Sequence, residues 1–300
     1  IKRFPVSRYR RQSRGGRGVT GAKTNEQDWV EHLFIASTHH YVMFFTDKGH
    51  CYWLKVYDIP SASKDSKGRA IVNLLSISKE EKVAAFVAVK EFSENQYIAF
   101  ATKKGVVKKT SLDAFSNPRK AGISAISIDK DDELISAMIT DGSMDLMLGT
   151  HNGMAIRFHE NEVREMGRSA GGVKGISLDA DDYAVGMIEL KREGTILVVS
   201  DHGYGKRTES KDYKVQHRGG SGLITLKMTD KVGNMVSIKE VVDEDDLMII
   251  TAKGVVIRQK VKDINVISRN TQGVRLIRLD GGDRISSIAR VVAEEEAVEE

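Results

Sequence analysis

YIAFATKKGVVKKTSL, Tyr97–Leu112, is the stretch on which the fold turns. An apolar run ends in Thr102, two lysines and Gly105 follow, and a second β-type run leaves the turn. The pattern recurs as FFTDKG ending at Gly49, LGTHNG at Gly153, VVSDHG at Gly203 and IITAKG at Gly254. Successive turn glycines from Gly49 onward lie 56, 48, 50 and 51 residues apart. A second glycine opens another apolar run at Gly122, Gly172, Gly222 and Gly273, spaced 50, 50 and 51. Two markers holding one period define a repeat, and a repeat decides the architecture before any single element does.

Each unit carries four short runs rich in Val, Ile and Phe, which predict strands. In the third unit these are YIAFAT, GVVKKTSL, GISAISI and ELISAMI, divided by the KKG turn, the loop DAFSNPRKA and the acidic turn DKDD. Acidic turns recur at Lys79–Glu81, Asp179–Asp182 and Asp280–Asp283. Glycine supplies the positive φ of such turns, and Asp caps the bend with its side chain. No helical period survives across a unit. Four strands repeated at this period predict an all-β fold of propeller blades, because one small sheet cannot cover both its faces and must stack on its neighbours. Five complete units run from Tyr41 to Val291 and a partial one precedes them, which predicts six blades near 1–36, 41–89, 96–140, 145–190, 195–241 and 246–291. Ile1-Lys2-Arg3 fills the second strand of the first, and the abrupt start inside a repeat is expected of a fragment of something longer.

The 300 residues carry a net charge of +4, unevenly spread. Ile1–Lys23 holds eight Lys or Arg and no acid, while residues 292–300 hold five glutamates, Glu294, Glu295, Glu296, Glu299 and Glu300. With that tail set aside the body is +9, a balance that points to a polyanionic partner with the tail as a competitor for the same surface. Cys51 is the single cysteine, which excludes a disulfide framework and a thiolate metal cage and fits a reducing cytoplasm. No run approaches the roughly eighteen apolar residues of a membrane span, and the start is not a signal peptide, so a soluble chain is expected.

The basic residues keep fixed phases of the repeat. Four positions after the turn glycine stand Lys109, Arg157, Arg207 and Arg258, with Arg3 at the same phase of the partial unit and Trp53 as the exception. About four positions before the second glycine stand Lys64, Arg119, Arg168, Arg218 and Arg269. QSRGGRG, Gln12–Gly18, has the layout of QHRGGSG, Gln216–Gly222, and is therefore the first blade's copy of a loop that every blade owns. Glycines let a backbone approach a phosphate, and Arg14 and Arg17 add charge-assisted contacts. Cations at one height around a disc suit a duplex bent about its rim. Duplex DNA carries one charge per ~1.7 Å of axis, against a bending cost of order 1 to 6 kcal/mol for a short site. With no recognition helix or zinc module, contacts to the backbone are expected and sequence preference is not.

Here the chain resembles a known family. QSRGGRG resembles the gyrase A box, usually Gln-Arg-Arg-Gly-Gly-Lys-Gly, with Ser13 in place of Arg and Arg17 in place of Lys. The whole repeat, with VYDIP…GRAIVNLL at Val56–Leu75, resembles the C-terminal domain family of DNA gyrase A. The resemblance implies a six-bladed β-pinwheel whose neighbouring blades exchange strands. It implies wrapping of duplex DNA with positive handedness, so that ATP-driven strand passage introduces negative supercoils. By position the box role carries to Gln12, Ser13, Arg14, Gly15, Gly16, Arg17 and Gly18, and a modulating role to the acidic tail. The implied partners are duplex DNA, the upstream breakage-reunion domain of the same chain and the gyrase B protein, with the fragment itself monomeric. ATP and Mg are used elsewhere in that enzyme, so no cofactor or metal is expected here. The catalytic tyrosine of the family lies upstream, and none of the eight tyrosines here takes its role.

Other chemistry is scarce. Gly203–Arg207 lacks the spacing of a phosphate loop and reads as a strand turn. His39 and His40 point to opposite faces if extended. The carboxylates of DKDD and DADD recur where turn structure explains them. Three alternatives remain: the C-terminal DNA-binding domain of topoisomerase IV, against which box and blade count argue; a protein-recognition propeller, whose binding would ignore the rim cations; and a propeller hydrolase or lyase, whose convergent carboxylates or histidines around a channel are not seen.

Overall fold

A computed structural model describes residues 1–3, 19–20, 37–62 and 68–291. The strands in chain order are β1 (Val19–Thr20); β2 (Tyr41–Thr46), β3 (His50–Lys55) and β4 (Val83–Val89) of the second unit; β5 (Tyr97–Thr102), β6 (Val106–Ser111), β7 (Ile123–Ser124) and β8 (Leu134–Thr140) of the third; β9 (Asp145–Thr150), β10 (Met154–His159), β11 (Val173–Lys174) and β12 (Ala184–Leu190) of the fourth; β13 (Thr195–Ser200), β14 (Tyr204–Glu209), β15 (Leu223–Ile224) and β16 (Met235–Val241) of the fifth; and β17 (Asp246–Thr251), β18 (Val255–Lys260), β19 (Val274–Arg275) and β20 (Ile285–Val291) of the sixth.

Among the described residues these form five antiparallel four-stranded sheets, ordered β4-β2-β3-β7, β8-β5-β6-β11, β12-β9-β10-β15, β16-β13-β14-β19 and β20-β17-β18-β1. The molecule is an all-β propeller. The long edge strands β4, β8, β12, β16 and β20 contact one another in succession and so line the axis. The two-residue strands occupy the opposite, outer edge. Each of these comes from a unit other than its sheet's own: Ile123 pairs with Cys51, Val173 with Val107, Leu223 with Ala155 and Val274 with Gly205. The four β-type runs of one unit therefore do not make one sheet. Three stay together and the third is given to the unit before. The sixth unit receives β1, Val19 pairing with Val256, so a segment immediately after Gly18 ties the start of the chain to its end.

The turn motif has a local cause. Thr46, Thr102, Thr150, Ser200 and Thr251 each accept, through the side-chain hydroxyl, the amide of the residue after the turn glycine, at 3.1 to 3.3 Å. Gly105 takes φ +77°, and a Cβ there would lie 2.7 Å from Ile176 Cγ2 of the next unit. Its carbonyl accepts the amide of Gly175, as Gly49 accepts Ala125, Gly153 accepts Thr225 and Gly203 accepts Leu276. That contact locks the two glycine markers to one period, since the segment after the second glycine of one unit hooks onto the turn of the unit before. The acidic turns close the same end. Asp132 Oδ1 accepts the amides of Lys104 and Glu133, and Asp182 and Asp283 repeat the arrangement. Structure accounts for these carboxylates, as it does for Gly203–Arg207, which opens β14.

The core lies between blades. Phe45 of the second unit meets Phe100 of the third edge-on, ring centroids 5.2 Å apart, with Phe115 against both. Ala99 and Val107 pack with Leu148 and Phe158 across the next junction, and Leu197 and Val199 with Ile249 and Ile257 across the last. Because each sheet is covered on both faces, its central strands are buried along almost their whole length instead of alternating.

Candidate nucleic-acid interface

Two rows of cations run around the ring, and the structure treats them differently. The strand row, four residues past the turn glycine, sits on the strand next to the outer edge and is turned between blades. Lys109, 6 % exposed, donates through Nζ to the Glu160 carbonyl at 3.1 Å, with the Glu160 carboxylate at 3.5 Å. Arg157 forks onto Asp145 at 2.8 and 2.6 Å and donates to the carbonyls of Ser210 and Tyr213. Arg207, 5 % exposed, donates to the Ile264 carbonyl at 2.9 Å and pairs with Asp243. Arg258 forks onto Asp246 at 2.8 and 2.5 Å, and Arg3 donates to the Ile59 carbonyl at 2.7 Å. The carbonyls taken by Arg3, Lys109, Arg157 and Arg207 lie in or beside the 3₁₀ turns of the next unit, Val56–Asp58, Glu160–Glu162, Ser210–Asp212 and Val261–Asp263. The expectation of open rim charge is corrected for four members: Lys109, Arg157, Arg207 and Arg258 each face a carboxylate, and the first three also bond to carbonyls of the next unit, whereas Arg3 donates to the carbonyls of Ile59 and Tyr57.

The loop row lies on the outer edge. Arg168 donates to the carbonyl of Ser124 at 3.4 Å, Arg218 to that of Lys174 at 2.9 Å and Arg269 to that of Ile224 at 3.0 Å. Those three residues are the last of β7, β11 and β15, so each arginine reaches back to the outer strand contributed by the preceding unit. The loops are chained further by the amides of Ser127, Ser177 and Lys227, which donate to the carbonyls of Ala170, Gly220 and Thr271 in the next loop. Among the described residues the guanidinium groups of Arg168, Arg218 and Arg269 donate to carbonyl oxygens, and Arg119 is exposed. Their charge is therefore left to whatever lies outside. Arg269 also stacks over the Tyr213 ring at 5.8 Å. Lys174, Lys227, Arg275 and Arg278 stand exposed on or just beyond the outer strands and extend the row. Their signal in the sequence was a cation two or five residues after the second glycine.

Beneath two of these loops lies a buried lysine that the sequence pattern did not single out. Lys108 is fully buried and donates to the carbonyls of Ala125 and Arg168, both at 2.7 Å. Lys206, equally buried, donates to Ser268 and Arg269 carbonyls and to Thr271 Oγ1. Burial, with a smaller contribution from Arg168 or Arg269, pulls both ammonium groups down to about 8. The box residues Gln12–Gly18, Lys64 and the tail glutamates lie outside the described residues. No group of three or more His, Cys, Asp or Glu able to hold a metal occurs among the described residues. Nor is any helix among them long and apolar enough to cross a membrane.

A family model described as DNA gyrase C-terminal domain, beta-propeller, matches residues 1–37, 40–90, 96–141, 145–191, 194–241 and 245–291. The chain belongs to this family. It is 45 % identical over 299 residues to the DNA gyrase A protein of Staphylococcus epidermidis and 46 % identical over 303 residues to that of Staphylococcus aureus, matches covering 99 % and 100 % of the chain. It spans 34 % of the length of these relatives. Among solved structures it is similar to a DNA gyrase A C-terminal domain, TM-score 0.86 at 23 % identity over 97 % of this chain and 96 % of that one. It is also similar to a C-terminal domain of DNA topoisomerase IV, TM-score 0.75 at 28 % identity over 85 % and 80 %.

Proposed function

We propose that this chain binds duplex DNA along its outer edge and bends it around the ring, serving as the wrapping element of a DNA gyrase. The observation that carries this is the loop row. Arg168, Arg218 and Arg269 are held at one place in successive units, on loops bonded one to the next, with their charge not taken by described carboxylates. Such a row meets a phosphate backbone at regular intervals. Each neutralised phosphate releases counterions, and the summed gain offsets the stiffness of the bent duplex. Arg119, Lys64 and the box residues Gln12–Gly18 continue the row by phase. The strand row supports it indirectly, by fixing the angle between blades.

In this reading the ring has six blades with exchanged strands, residues 1–36 supplying the first. Six matched segments support that count, as does the position of Ile1, whose carbonyl accepts the Arg69 amide as an inner strand accepts its borrowed neighbour. Residues 1–291 form the DNA-wrapping domain, and residues 292–300 form a tail whose glutamates compete with phosphate for the edge. The fragment acts as a monomer in the cytoplasm, attached to the upstream breakage-reunion domain and working with the gyrase B protein. Those parts use ATP and Mg, and this chain uses no cofactor. Backbone contact predicts little base preference. The test is equilibrium binding of a short duplex across a salt series. A steep fall of affinity with salt, made shallower when Arg168, Arg218 and Arg269 become Ala, supports the reading. Binding that ignores salt and these arginines favours a protein-recognition propeller.

A further inference from the structure

Lys108 and Lys206 fall three residues past their turn glycines, and the same phase reads Lys2, Tyr52, Lys108, Ile156, Lys206, Ile257 along the chain. A cation recurs in every second unit. The described members show what alternates. Tyr52 lies under Gly122, where a Cβ would meet its ring at 2.6 Å, and Ile156 lies under Gly220 at 3.5 Å. Those loops rest on an apolar support. The loops Arg168–Gly172 and Ser268–Gly273 rest instead on an ammonium that binds their own backbone carbonyls.

Among the described residues each buried ammonium is held by neutral oxygens, with no carboxylate paired to offset its desolvation, and a shorter, apolar isoleucine stands at the same place one unit along. The carbonyl partners of each lysine include that of a loop arginine: Arg168 beside Ala125 for Lys108, and Arg269 beside Ser268 for Lys206. We infer that Lys108 and Lys206 are positioning residues for DNA, each gripping the backbone at a loop arginine from below so that its guanidinium faces the phosphates, and adding an inner charge beneath every second loop. The inference rests on the proposed DNA-binding reading.

Among the described residues the charged and titratable groups around each lysine are few. Arg168 faces Lys108, with the protonated thiol of Cys51, its ionisation pushed up by burial, near the same arginine and the Phe100 ring at 5.8 Å. Arg269 faces Lys206, with the Tyr213 ring beneath that arginine. Burial lowers both lysines to about 8, with the like-charged arginines contributing less, so both charges leave between about pH 7 and 9 while the arginines stay ionised.

The variants are Lys108→Ile and Lys206→Ile, singly and together, with Ile156→Lys as the converse, all in the 300-residue chain. Amide hydrogen exchange provides a readout independent of DNA. Exchange in Arg168–Gly172 or Ser268–Gly273 should quicken by about tenfold or more when its lysine is removed, with Arg218–Gly222 unchanged, as expected for loss of a charge-assisted hydrogen bond. Duplex affinity should fall about threefold to tenfold per lysine, and the wild-type loss of affinity from about pH 7 to 9 should flatten in the double variant. Unchanged loop exchange would overturn the inference whether or not the chain binds DNA. An unaltered pH profile in the double variant would overturn it as well. If an isoleucine variant fails to fold, Ile156→Lys decides: slower exchange in Arg218–Gly222 is expected, and no change there refutes the positioning role. Failure of the wild type to bind duplex at any pH would fall on the DNA reading alone.

Discussion

Arg157 and Arg218 carry the same charge at the same repeat period, yet one is turned into the protein and the other belongs to its outer face. Arg157 stands beside Asp145 and two carbonyls of the next unit, and its fork is filled by the protein. The Arg218 guanidinium meets the carbonyls of Glu162 and Lys174 among the described residues and keeps its charge available. Periodicity tells where a cation recurs; the acceptors within its reach tell what it is for. In a ring of small sheets the surfaces between blades need polar bonds as well as apolar packing, because the 3₁₀ turns present carbonyls there that require donors.

The contrast can be broken from either side. The largest expected effect is on the strand row. Lys109→Met leaves Glu160, fully buried, with the Thr140 hydroxyl and the Met144 amide as its side-chain donors. Breaking such a buried pair costs about 3 to 5 kcal/mol, to be read as a drop in the urea midpoint, with the affinity of the remaining folded chain for duplex nearly intact. The mirror experiment replaces Arg168, Arg218 and Arg269 together by Ala. Stability should change by only about 1 kcal/mol, since these groups are partly exposed, but the slope of log affinity against log salt should become shallower by about three, one per phosphate contact. A large stability loss with an unchanged salt slope would exchange the roles of the two rows.

Gly105→Ala perturbs both rows at once. The residue holds φ +77° and its Cβ would strike Ile176, so a cost of about 1 to 3 kcal/mol is expected, with faster exchange of the Gly175 and Ile176 amides. A neutral result would show that the hook between units is slack.

The smallest effect is the pH response of the buried lysines. Folding lowers both from 10.5 to about 8, so the unfolded chain binds more protons between those values. Their contribution to stability is least below about pH 8 and grows as pH rises towards 10.5, while their contribution to DNA binding is lost over the first part of the same range. Comparing the wild type with the Lys108→Ile, Lys206→Ile double variant by denaturant titration at about pH 7 and 9 isolates this contribution, and equal pH dependence in the two proteins would remove it.

Much of this was legible in the chain. The Thr-x-x-Gly and second-glycine markers set out the units and their boundaries because each marks a backbone need: a positive φ, and a carbonyl that must receive the next unit's amides. The loop row was legible for the same reason. The fate of the strand row was not, since some of its partners come from other units: Lys109 takes Glu160 and Arg207 takes the Ile264 carbonyl, more than fifty positions along. A hint stood in Asp145 and Asp246, each twelve residues before its arginine at the same phase. Nothing in the sequence marks Lys108 and Lys206 as buried, because strand alternation is a poor guide where both faces of a sheet are covered. The exchange of strands could be expected from family resemblance only; in the sequence, GISAISI reads as one run, whereas Ile123–Ser124 serves the neighbouring sheet and Ala125–Ile126 hooks onto its turn.

The central claim is that the loop row forms a continuous track that curves a duplex. Closing a relaxed nicked plasmid with ligase in the presence of the chain measures that curvature as topology. The account predicts a linking-number shift of one sign that grows with protein, vanishes at high salt and is lost in the Arg168, Arg218, Arg269 triple alanine variant. Topoisomers identical to the protein-free control, or a shift of equal size in that variant, would contradict it.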